Sequence, residues 1–130
     1  MSDLNVLAIL VATGVAFVVS GAWYAGFGNQ LAGLSAVYAE AGRMPAWTIV
    51  AELGRNLVIA TVLAWLMEQI GSDGWTDAVV LGFVIWVGFP VTILSGSAIH
   101  EKVPWQLAAI HAGDWLLKLL AIALIVGLWR

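Results

Sequence analysis

The stretch "RMPAWTIVAELGRNLVIATVLAWL", Arg43 to Leu66, combines two things that rarely sit together. From Leu57 onward it is almost wholly aliphatic, yet its first turns carry Glu52, Arg55 and Asn56. With Met67–Ile70 the helix-compatible run from Ala46 reaches the roughly 20 residues needed to cross about 30 Å of hydrocarbon. Charged side chains on such a helix are costly, so they must face other protein groups or water rather than lipid.

Three further stretches have the same length and character: Leu4–Phe27, Trp75–Ala98 and Trp105–Trp129. The chain of 130 residues is 62% hydrophobic and 10% charged, with a mean hydropathy of +0.99. A soluble domain of this size would have too little polar surface left to face water. The expected architecture is an all-α integral membrane protein over residues 1–130: one domain of four transmembrane helices in two hairpins.

The first stretch reads as a retained helix and not a cleaved signal. It has no basic segment before it, and Trp23-Tyr24 occupies the place where a small-residue cleavage site would be wanted. Between helices one and two, Leu31, Leu34 and Tyr38 recur at helical spacing, which predicts a short amphipathic helix at the interface. Gly71 suits the C-terminal end of helix two, and Pro104 suits the first turn of helix four. Pro90 should kink helix three near its middle.

We call the side on which helix one begins side A and the opposite side B. Trp23, Trp47 and Trp105 would form an aromatic belt at side B, and Trp75 and Trp129 would mark side A. Trp86 and Trp115 fall near mid-membrane, where an indole N–H needs a partner. Arg43 and Lys102 weakly favour side B as the cytoplasmic one, against Arg130 on side A. Gly21, Gly26, Gly82 and Gly88 read as sites of close helix packing.

An internal echo is visible. "RMPAWTIVAELGR" aligns with "KVPWQLAAIHAGD", pairing Pro45 with Pro104, Glu52 with His111 and Arg55 with Asp114. "YAGF" at Tyr24–Phe27 is answered by "WVGF" at Trp86–Phe89. The two hairpins could be parallel repeats about an axis along the membrane normal, or the likeness could be chance similarity of apolar helices. Glu52 and His111 each lie seven residues past a proline, about 10 Å below the side B interface. Glu52, Arg55 and Asn56 share one helix face, and His111, Asp114, Trp115 and Lys118 share another. Paired formal charges at matched depth imply that the two faces meet, with Glu52 or Arg55 reaching His111 or Asp114.

These seven residues are the candidate site. They could line a proton or ligand pathway open to side B, where Thr92, Ser95, Ser97 and Ser20 also fall, or they could be polar glue between helices. An imidazole, with an unperturbed pKa near 6.5, is suited to exchanging protons with Glu52. Two histidines at such different depths do not suggest haem, and Arg55 and Lys118 argue against a bound metal. No cofactor is expected. Without cysteine there is no thiolate nucleophile, and no hydrolase or phosphate-loop motif occurs, so nothing identifies an enzyme. Nothing indicates nucleic acid.

"SGAWYAGFG" in helix one, "GFVIWVGF" in helix three and "IHEKVPWQLAAIHAGDWLLKLLAIALIVGLW" at the end of the chain resemble the family of small bacterial membrane proteins called domain of unknown function 1761. The resemblance implies four helices in the bacterial inner (cell) membrane and no particular activity. It is not carried by Glu52 and Arg55. Two classes of function follow: a small homo-oligomeric channel or transporter, or an accessory subunit of a larger membrane complex. The partners expected are the lipid bilayer, further copies of the chain, and other membrane subunits.

Overall fold

A computed structural model describes residues 4–35 and 45–129. Tyr38, Arg43 and Arg130, used in the sequence reading, lie outside them. The described residues form helices and turns. Four helices are long and apolar enough to cross a membrane: Val6–Gly26, Ala46–Ile70, Gly74–His100 and Trp105–Leu128, here the first to fourth spans. A short helix, Gly28–Leu34, follows the first span and buries Leu31. The chain is an all-α, multi-pass membrane protein.

Local chemistry sets the ends. Asn5 caps the first span, its Oδ1 accepting from the Ala8 N–H at 3.1 Å. Its Nδ2 donates to the Trp129 carbonyl at 3.0 Å, which ties the start of the first span to the end of the fourth on side A. The second span ends where Gly71 turns left-handed at φ 68, and the Ser72 N–H closes back onto the Met67 carbonyl at 2.9 Å. Asp77 Oδ2 accepts from the Asp73 N–H at 2.9 Å and steadies the start of the third span.

Pro90 does not break the third span. Its missing N–H is absorbed by one π-helical turn, Val87–Val91, after which the helix resumes at Thr92. The Thr92 hydroxyl donates to the Val87 carbonyl at 3.1 Å across that turn.

The fourth span is the hub and packs on each of the other three; the first and second spans also pack on one another. On the side A half the contact is apolar and close. Ile9, Ala12 and Ala16 meet Ala60, Leu63, Ala64 and Met67, and Leu119, Ile122, Ala123 and Val126 join them with Ala78. Small side chains dominate because, in lipid, association comes from van der Waals contact at short range and not from expelling water.

The glycines that permit this differ from those expected. Gly82 packs against Leu119, Leu120 and Ala123, and Gly127 packs against Ala78 and Met67. Gly21, Gly26 and Gly88 have nothing within 4 Å of where a Cβ would lie. The two hairpins are also packed unequally. A twofold repeat would make the first–fourth and third–second contacts equivalent. The first pair is closed, whereas the second and third spans are splayed around an apolar groove of about 340 Å³ floored by Trp115 and Leu119.

Candidate functional site

On the side B half the first, second and fourth spans part around a cavity of about 490 Å³. Its lining includes Glu52, Arg55, His111, Asp114, Trp115 and Lys118, so six of the seven sequence candidates border one space. The seventh, Asn56, does not line it. Asn56 sits one turn below Glu52, fully buried, and its carboxamide has no hydrogen-bond partner.

The charged groups are joined through Lys118. From the fourth span its side chain runs back toward side B, as helical side chains do. Its Nζ lies 3.4 Å from Asp114 Oδ2, 3.9 Å from Glu52 Oε1 and 3.9 Å from the Trp115 ring centroid. Expected partners for Glu52 were His111 or Asp114; the ion pair that links the second span to the fourth is with Lys118. The reason is reach, since a four-carbon stem spans an interhelical gap that a short aspartate cannot. Glu52 also accepts from Arg55 Nη1 at 2.8 Å on its own helix.

Burial grades from mouth to floor. The Arg55 side chain is 59% exposed and that of Glu52 30%, whereas Lys118 and Asp114 are at 3% and 4%. Arg55 therefore belongs to the rim, and the buried charges are both on the fourth span. Asp114 Oδ1 and Ser20 Oγ, each at the cavity wall, are buried with no hydrogen-bond partner.

Two indoles hold the fourth span in place here, one of them, Trp86, singled out in the sequence as needing a partner for its N–H and the other, Trp23, not. Trp23 was placed in the side B belt, but its indole N–H turns inward and donates to the Ile110 carbonyl at 2.8 Å. Trp86, from the third span, donates to the Ala112 carbonyl at 2.7 Å. Two indoles thus grip, from different helices, the turn that carries His111 and Asp114. Gly113 lies in that turn because the Trp23 ring occupies the space of a Cβ. Tyr24, one residue on, places its hydroxyl 2.6 Å from His111 Nδ1. Either the phenol donates to an unprotonated Nδ1, or Nδ1–H donates to the phenol oxygen. The "WY" pair in the first helix was the available signal; adjacent helical residues point about 100° apart and can straddle a neighbouring helix.

Helix-three hydroxyls are not part of the site. Thr92, Ser95 and Ser97 bond back to carbonyls of their own helix, at 3.1, 2.9 and 3.4 Å. Among the described residues no group of three or more His, Asp or Glu could hold a metal ion. The side chains bordering the cavity form hydrogen bonds and ion pairs.

This geometry defines a four-span membrane protein with a polar cavity confined to one half of the bundle. The chain belongs to the family described as protein of unknown function (DUF1761), whose model matches residues 7–127. No curated protein and no solved structure matches it.

Proposed function

We propose that the protein takes up a proton or a small polar solute from side B into this cavity, as the ligand site of a minimal channel or transporter in the bacterial inner membrane. One observation carries the reading: Asp114 and Lys118, buried in a membrane span, border a cavity and not a sealed contact. Polar glue needs no such space, because its groups satisfy one another directly. Assembly as a homo-oligomer, most simply a twofold dimer, is part of the proposal. Gly54, Gly88 and Gly96 meet nothing within 4 Å, which leaves small-residue patches for a second copy. The alternative, an accessory subunit of a larger membrane complex, has the apolar groove between the second and third spans in its favour.

The chain has no cysteine, so single thiols report water access without background. Ser20→Cys, at the cavity wall, should react with a charged, membrane-impermeant thiol reagent in liposomes. Ala64→Cys, in the apolar half, should not. An unreactive Ser20→Cys under conditions that modify Thr48→Cys at the mouth would overturn the reading. Glu52→Gln should keep the fold, because the Glu52–Arg55 pair is at the rim and the buried Lys118 retains Asp114. It should alter the pH dependence of proton flux measured with a trapped dye. Unfolding, or a pH response identical to that of the unaltered protein, would return the cluster to a structural role.

A further inference from the structure

The cavity wall has unmet hydrogen-bonding capacity of both kinds, side by side. The buried ammonium of Lys118 touches its carboxylate partners at 3.4 and 3.9 Å, whereas a well-formed charge-assisted N–H···O bond runs about 2.7–2.9 Å. The ammonium also lies 3.9 Å from the centre of the Trp115 ring. Next to it Asp114 Oδ1, buried, accepts from no donor, and Ser20 Oγ across the same space has no partner either. Buried ions are stable only when their remaining donors and lone pairs are engaged.

Charge selects among the groups that could engage them. The formal charges around the cavity cancel: Glu52 against Arg55 and Asp114 against Lys118. A ligand with a net charge would stand uncompensated beside the apolar part of the wall, Phe17 and the rings of Tyr24 and Trp115. A neutral ligand meets no such cost. We infer that the cavity's ligand is an uncharged solute presenting a hydrogen-bond acceptor and a donor side by side, a carboxamide being the simplest, held between Lys118 and Asp114. The carbonyl oxygen accepts from Lys118 Nζ and the N–H donates to Asp114 Oδ1, with the aromatic walls covering the apolar remainder. This inference rests on the cavity being a ligand site.

Three probes of one size and different charge test it: propionamide, propionate and propylammonium, titrated by ligand-observed NMR against the full chain in nanodiscs. Propionamide should bind saturably, at least roughly tenfold more tightly than either ion. The preference should follow the charge of the wall. Asp114→Asn, which leaves the wall with an extra positive charge, should shift preference to propionate, and Lys118→Met should shift it to propylammonium. If one substitution prevents folding, the other and the unaltered protein still decide. An ion preferred by the unaltered protein, no binding of any probe, or a preference unmoved by both substitutions overturns the inference. Reaction of Ser20→Cys is measured separately, so the cavity reading stands or falls on its own result.

Discussion

Gly113 shows how a single missing side chain sets the site. Trp23 cannot retreat from an added methyl group, because its indole is anchored on the Ile110 carbonyl. Gly113→Ala should therefore destabilise by about 1–3 kcal/mol through overpacking. Trp23→Phe, which loses the indole hydrogen bond and shortens the ring system, should cost about 1 kcal/mol through that bond alone. In the double variant the smaller ring makes room for the methyl, so the two costs should fall short of additivity. Unfolding free energies in mixed micelles check this, and strict additivity would show that the ring and Gly113 are not coupled.

Among the elements, the third span resolves its two irregularities differently. Pro90 is accommodated by widening one turn to π geometry, which keeps the helix continuous. At its end the chain reverses through Lys102 at φ 57, with the N–H groups of Glu101 and Val103 both donating to the Ser97 carbonyl, at 3.0 and 3.3 Å. A lysine in the left-handed region pays a steric cost that glycine avoids. Lys102→Gly should stabilise by about 1 kcal/mol, raising the unfolding midpoint while leaving the cavity untouched. A lowered midpoint would mean that the lysine side chain has a stabilising contact of its own.

Across the whole molecule the bundle is divided by depth. The side A half is an alanine-rich contact, and the side B half holds the cavity and the Glu52, Arg55, Asp114 and Lys118 charges. With glycines on outward faces lacking any neighbour, a second copy could approach closely. Mass measurement in mild detergent should find a dimer, and Gly88→Leu should shift it toward monomer; monomer alone across a wide concentration range would remove the dimer from the proposal. Such a division suits access from one side only, as a binding site requires before any larger movement carries a ligand further.

The number of spans, their limits and the helix ends at Gly71 and Pro104 were legible in the chain itself. Hydrocarbon imposes a length, and backbone caps depend on residues close in sequence. So was the gathering of Glu52, Arg55, His111, Asp114, Trp115 and Lys118, because unpaired charge in lipid is costly enough to dictate which faces turn inward. What only the tertiary structure decided was which pairs form and what encloses them. Lys118 rather than His111 meets Glu52, Trp23 faces inward rather than to the interface, and Asn56 lies beneath the cavity. Periodicity assigns a residue to a face, but partners a few ångströms apart on that face are chosen by how closely two helices approach. That approach depends on glycine and alanine contacts between residues far apart in the chain, which no local pattern encodes.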